Sequence, residues 1–122
     1  PTRRSSDLYD MLLFTKALFG DPLLTEVVGT FSYEFPVGVD ENGDVITAAY
    51  LSNNRLLNPE FTKRTNAIGV KNGYTGAARN CLIGAIMRKD GHIIVAAMFK
   101  VNTGLYDVAE ELLSYGEKYR SK

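Results

Sequence analysis

The stretch AIGVKNGYTGAARNCLIGAIMRKDGHIIVAAMFK, residues 67–100, decides the fold. It predicts a strand through Lys71 to Tyr74, a small-residue turn at Gly76 to Ala78, an apolar strand from Cys81 to Met87, a tight turn at Lys89-Asp90-Gly91 and a strand from His92 to Lys100. The apolar residues run continuously instead of alternating with polar ones, the mark of strands covered on both faces. Downstream, Leu105, Ala109, Leu112, Leu113 and Gly116 form one stripe of a helix over roughly 105–119, which supplies a cover. Asp107, Glu110 and Glu111 come early in that helix and Lys118, Arg120 and Lys122 late, which complements its dipole. The fold class that follows is α+β, an antiparallel sheet packed against a C-terminal helix.

Upstream of this stretch, Asn58-Pro59 marks a turn and Asn53 to Leu57 is ambiguous. Residues 30–51 predict a hairpin. Phe31, Tyr33 and Phe35 alternate with Thr30, Ser32 and Glu34 as in a half-buried strand that Pro36 closes, Asn42-Gly43 turns the chain, and Val45 to Leu51 returns. Two helices precede the hairpin. Ser5, Ser6 and Asp7 are N-cap candidates for the first, in which Leu8, Met11, Leu12, Thr15, Leu18 and Phe19 recur at helical spacing up to Gly20. Asp21-Pro22 restarts a second, with Leu23, Leu24, Val27 and Val28 expected on its buried side and Gly29 at its end. Neither repeat nor linker divides residues 1–122.

Composition narrows the function classes. A chain of 122 residues buries about 65% of its unfolded surface, enough for one core. Fourteen Lys and Arg balance fourteen Asp and Glu, so no net field favours nucleic acid or an acidic membrane face. The longest apolar run, Ile93 to Phe99, is too short to cross a bilayer. A single cysteine, Cys81, allows neither an internal disulfide nor a thiolate metal cluster. Pro1 to Ser6 carries arginines with no following apolar segment of signal-peptide type, so a targeting signal is expected outside this sequence.

The chemistry-bearing stretch is Gly69-Val70-Lys71-Asn72-Gly73-Tyr74-Thr75. A glycine on a strand lets another molecule approach the backbone, and a strand lysine beside it presents a cation to a carboxylate. Taken alone, that pattern suits an exposed strand end better than a site. Other candidates are weaker still. His92 follows Asp90-Gly91 in a turn and reads as solvated, and Glu110 and Glu111, as helix neighbours, do not face one another. Arg3-Arg4 and Lys63-Arg64 read as exposed charge, Cys81 as a buried inert thiol, and no lysine follows a glycine near residue 69 as a phosphate loop requires.

With its surroundings the stretch gains weight. Ser52-Asn53-Asn54-Arg55-Leu56-Leu57, then Gly69-Val70-Lys71-Asn72-Gly73-Tyr74-Thr75, then Ala77-Ala78-Arg79-Asn80-Cys81-Leu82 resembles, in order and spacing, the third-motif region of the serine D-alanyl-D-alanine carboxypeptidases, the low-molecular-mass penicillin-binding proteins. The closing helix around Leu112-Leu113-Ser114-Tyr115-Gly116 and the start at Ser5-Ser6-Asp7-Leu8-Tyr9-Asp10-Met11 are similar to that family too. The resemblance implies that residues 1–122 are the C-terminal part of a catalytic domain of β-lactamase-like fold, with the half that carries the nucleophile absent. No serine here is followed three residues on by lysine, and Ser52-Asn53-Asn54 sits where the family has its asparagine-rich stretch, not its second motif.

What the resemblance implies for the site is specific. Lys71 would supply positive charge near the nucleophile and the substrate carboxylate, and the backbone N–H of Tyr74 half of an oxyanion hole. Asn72, Gly73 and Thr75 would border the substrate, with Asn72 standing where the family has threonine or serine. The substrate implied is the peptidoglycan stem peptide, with β-lactams as inhibitors and the N-terminal half of the same domain as partner. No cofactor, metal or nucleic acid is implied, and the location would be the extracytoplasmic cell envelope.

Overall fold

A computed structural model describes residues 7–119. Ser5, Ser6, Arg3-Arg4, Arg120 and Lys122 lie outside them. Helix α1 (Leu8–Phe19) starts at Asp7, whose carboxylate accepts the Asp10 N–H at 2.8 Å while the Asp10 carboxylate accepts the Asp7 N–H, a reciprocal capping box. Helix α2 (Pro22–Gly29) opens on Pro22 with the Asp21 carboxylate accepting from Leu23 and Leu24. Strands β1 (Ser32–Val39) and β2 (Val45–Leu51) pair antiparallel as a two-stranded sheet. A short 3-10 turn, Arg55–Leu57, resolves the ambiguous stretch, with the Asn54 side chain as its cap. Strands β3 (Ala67–Thr75), β4 (Arg79–Met87) and β5 (Ile93–Val101) form an antiparallel meander with β4 in the centre, and α3 (Leu105–Lys118) closes the fold.

The central strand explains the continuous apolar run. Leu82, Gly84 and Ile86 point toward α3 and the 3-10 turn, where Leu82 and Ile86 join Leu56, Met98, Ala109 and Leu113 in the core. Ile83 and Ala85 face the other way and are buried too. Gly69, the register partner of Ala85, meets the Val28 side chain of α2 on that side, and α1 touches β5. The sheet is thus covered twice. Glycine at two core positions sets the spacing of the layers: a Cβ at Gly84 would stand 2.6 Å from Leu56 Cδ1, and one at Gly116 2.5 Å from Ile94 Cγ2.

Five expectations need correction. Pro36 does not close the first strand; pairing runs on to Val39 across an irregularity between Pro36 and Gly38, where an edge position tolerates the missing N–H. The hairpin is exposed along its length instead of half-buried, and Leu23, Leu24 and Val27 of α2 are exposed as well. Among the described residues nothing lies over these surfaces; Leu23, Val27, Tyr33, Phe35 and Tyr50 line an open groove of about 770 Å³ between α2 and the hairpin. Leu112 is 42% exposed whereas Leu113 is fully buried, because the helix turns its 109/113 line to the sheet. Arg64 is not free surface charge: its side chain is 11% exposed and bonds Glu110 at 2.8 Å and Ser114 at 3.0 Å, tying the loop before β3 to α3.

Candidate functional site

Strand alternation places Lys71 and Asn72 on opposite faces of β3. Lys71 pairs with Ile83, is exposed, and its ammonium donates to the Asn72 carbonyl oxygen. Asn72 pairs with Leu82 on the α3 side, where its amide nitrogen donates to the Asn53 carbonyl oxygen at 3.1 Å and to the Tyr106 hydroxyl at 3.0 Å. The Tyr106 hydroxyl in turn donates to the same Asn53 carbonyl at 3.4 Å. The triangle joins β3, the polar stretch before the 3-10 turn, and the first turn of α3. Both amide hydrogens of Asn72 are thereby engaged within the chain, and only its side-chain oxygen is left to accept.

Beyond Asn72, β3 becomes open. A Cβ at Gly73 would meet nothing within 4 Å, and the Tyr74 side chain is exposed. Thr75 serves the turn, its Oγ1 accepting the Ala78 N–H at 2.9 Å. The last residues of β3, the first of β4, the polar stretch 53–55 and residues 104–107 enclose a pocket of about 460 Å³. Of the residues that the sequence singles out, Asn72, Gly73 and Tyr74 line it; Lys71 and Thr75 do not.

Sequence reasoning missed Asn53, Arg55, Asn80 and Tyr106, which also line this pocket. Arg55 is held without ion pairing: its guanidinium lies 4.7 Å from the Phe61 ring centroid and 5.8 Å from that of Tyr106. The available signal was composition, since Asn53, Asn54 and Arg55 are three polar residues in front of two leucines. Their convergence on Tyr106 spans half the chain and has no local trace.

The weaker candidates fall where expected or close to it. His92 is exposed, and its ring lies 3.1 Å from the Asp90 carboxylate. The His92 backbone N–H, then its side chain and the nearby Arg88, hold the Asp90 carboxyl below the usual carboxylate range. Cys81 is half-buried, with its sulfur 3.4 Å from the Ala78 carbonyl oxygen. Glu110 spends its carboxylate on Arg64 and Thr62 and does not face Glu111. Among the described residues, no group of three or more His, Cys, Asp and Glu side chains is placed to hold a metal ion, and no helix is long and apolar enough to cross a membrane.

Comparison with known proteins bears on the fold. The chain is 27% identical over 95 residues to a D-alanyl-D-alanine carboxypeptidase of Mycobacterium tuberculosis, a match over 78% of this chain and 29% of that protein. Its fold superposes on the crystal structure of a D-alanyl-D-alanine carboxypeptidase from the same organism with a TM-score of 0.74 and 26% identity, covering 93% of this chain and 41% of the other. A mutant DD-transpeptidase of Streptomyces shares the fold at a TM-score of 0.75 and 24% identity, over 95% of this chain and 44% of the other. No protein-family model matches. The expected α+β class holds, and so does the resemblance to the D-Ala-D-Ala peptidases. The chain spans less than half the length of each of these relatives.

Proposed function

We propose that the chain forms the β3 wall of the active site of a serine D-Ala-D-Ala carboxypeptidase and works with the N-terminal half of the same catalytic domain. One observation carries this reading: Asn72, Gly73 and Tyr74 line an open pocket on an edge strand, in a fold similar to that of a D-alanyl-D-alanine carboxypeptidase. The exposed faces of α1, α2 and the hairpin, and the two open edges of the β3-β4-β5 sheet, support a partner that supplies further secondary structure.

In this reading the serine and its lysine base come from the other half. The serine oxygen attacks the carbonyl between the last two residues of a peptidoglycan stem peptide, D-alanine leaves, and water hydrolyses the acyl-serine. Lys71 steadies the approaching negative charge, and the Tyr74 N–H shares in holding the oxyanion. Gly73 lets the peptide approach, with Asn72 and Thr75 at its border. No cofactor or metal has a role, β-lactams acylate the same serine, and the place of action is the cell envelope.

A second reading is favoured by one specific fact. Asn72 stands where threonine or serine is expected and has both amide hydrogens bound within the chain. That suits a module that binds cell-wall peptides without cleaving them.

Fluorescent penicillin tests both. Without a Ser-x-x-Lys nucleophile the chain by itself stays unlabelled and releases no D-alanine, whereas a longer protein with that half restored becomes covalently labelled. In that protein Lys71→Ala slows acylation about a hundredfold, the scale of lost transition-state stabilisation at such sites. Parental rates in Lys71→Ala at unchanged stability would remove residues 71–73 from the active site. Reversible binding of a D-Ala-D-Ala peptide without labelling would favour the second reading.

A further inference from the structure

We propose that the free edge of β2 pairs with the same edge of a second copy of this chain, making a closed two-fold dimer with a four-stranded sheet. Among the described residues β1 and β2 form a sheet of two strands, exposed along its length, and two strands alone are marginally stable in water. The two edges of this hairpin differ. The Ser52 N–H donates to the Phe31 carbonyl oxygen at 2.7 Å, and the Asp40 N–H to the Asp44 carbonyl oxygen at 2.9 Å. Alternation from either bond turns the backbone groups of residues 46, 48 and 50 toward β1 and those of Val45, Thr47, Ala49 and Leu51 outward. On β1 the outward positions are Ser32, Glu34 and Pro36, so that edge carries a charge, lacks a donor and shifts register just beyond the proline. Strand β2 has none of these guards: Val45-Ile46-Thr47-Ala48-Ala49-Tyr50-Leu51 contains no charge, proline or glycine.

An edge that pairs with its own copy must be its own complement, and β2 is. When two β2 strands run antiparallel about Ala48, the outward groups bond one another, Val45 against Leu51 and Thr47 against Ala49 of the other copy. Between these pairs Ile46 meets Tyr50 and Ala48 meets Ala48 where side chains come closest. An aromatic beside a β-branched residue is a favourable cross-strand pair, and alanine is small enough for the two-fold axis. Charge agrees with this register. Continued past Leu51, it carries the acidic hairpin tip, Asp40, Glu41 and Asp44, toward residues 52–55 of the other copy, where Arg55 has no ion-pair partner among the described residues. The guarded β1 edges then lie outermost, so assembly stops at two copies and does not grow into a fibre. Seven residues a side is small against the roughly 20–30 of a standard interface, which sets the expected dissociation constant on the order of 100 μM.

Sedimentation velocity of residues 1–122 up to about 1 mM is expected to show monomer and dimer alone, with a midpoint of that order. Hydrogen exchange followed by nuclear magnetic resonance reads the edge directly: as concentration rises, the amides of Val45, Thr47, Ala49 and Leu51 slow the most, and those of residues 46, 48 and 50, already bonded to β1, change less. Ala48→Lys and Ala48→Glu each oppose like charges across the axis and weaken the dimer about fivefold, whereas an equimolar mixture of the two variants recovers it, a rescue that misfolding cannot imitate. Thr47→Pro removes one outward donor per copy and weakens it about tenfold or more, with a circular dichroism spectrum matching the parent.

A chain that stays monomeric at 1 mM overturns the dimer, and species larger than two copies overturn its closure. Parental association in both Ala48 variants, no recovery on mixing them, or slowed exchange in β5 instead of β2 moves the contact elsewhere and overturns it too. Each of these results leaves the proposed function standing, because penicillin labelling of the longer protein does not depend on the β2 edge.

Discussion

The triangle of Asn72, Tyr106 and Asn53 allows a prediction with a definite size. Asn72→Thr removes both amide donors and leaves a hydroxyl too short to span from the β3 backbone to Tyr106 and the Asn53 carbonyl together. Each hydrogen bond contributes about 1 kcal/mol net, and the triangle is partly exposed, so the loss is about 1–2 kcal/mol. Tyr106→Phe keeps the ring in place, removes the 3.0 Å and 3.4 Å contacts, and costs about 1 kcal/mol. Because the two substitutions delete a shared contact, the double variant is expected to lose about 0.5–1 kcal/mol less than the sum. Urea titration of the four proteins closes the cycle. Additivity within 0.3 kcal/mol, on the order of independent sites, would mean that the triangle is not a mechanical unit. The consequence for catalysis has a sign. Family resemblance alone expects Asn72→Thr to speed acylation in a longer protein by restoring the usual hydroxyl. If the triangle holds the pocket together, the same substitution slows it and loosens Tyr106.

Leu113→Ala, at a fully buried position among Leu56, Leu82 and Ile86, is expected to cost about 3–5 kcal/mol by denaturant titration, and Leu112→Ala, 42% exposed, under 1; equal costs would show that α3 presents another face to the sheet. Arg64→Ala removes the tie between the pre-β3 loop and Glu110, Ser114 and Glu117, and costs about 1–3 kcal/mol, less than a fully buried pair because both acids are more than a third exposed. A loss below half a kcal/mol would leave the network without mechanical importance. Asp90 titrates below the usual aspartate value of about 3.9. A depressed folded-state value stabilises above the unfolded-state value and fades as pH falls through the folded one, so its small contribution disappears below about pH 4. Carbon-detected titration of the Asp90 carboxyl checks the direction, and an ordinary or raised midpoint would contradict it.

Strand and helix positions were largely legible because their causes are local. Asp21-Pro22, the turn at Lys89-Asp90-Gly91 and the apolar run of β4 mark their elements by chain chemistry alone. Burial was legible less well than element position. The spacing of Leu23, Leu24 and Val27 is that of a buried helix face, yet periodicity reports a preference for burial and not whether a partner is present. Leu112 and Leu113 differ by one step of 100 degrees around α3, finer than a stripe read from spacing resolves. At the site, the motif stretch led to Asn72, Gly73 and Tyr74, but their surroundings depend on Asn53 and Tyr106, 19 and 34 residues away from Asn72.

The meander order of the sheet sets a sequence of events as well as a shape. Strand β4 pairs with the strands immediately before and after it, so β3, β4 and β5 zip across short turns, and α3 docks from the adjoining segment. These steps close short loops and are fast. The packing of α1 on β5 brings together segments more than seventy residues apart, at a high loop-closure entropy. The amides of β4 are therefore expected to exchange with solvent hydrogen last, through global opening, and those of α1 and α2 early, by undocking from a sheet that stays intact.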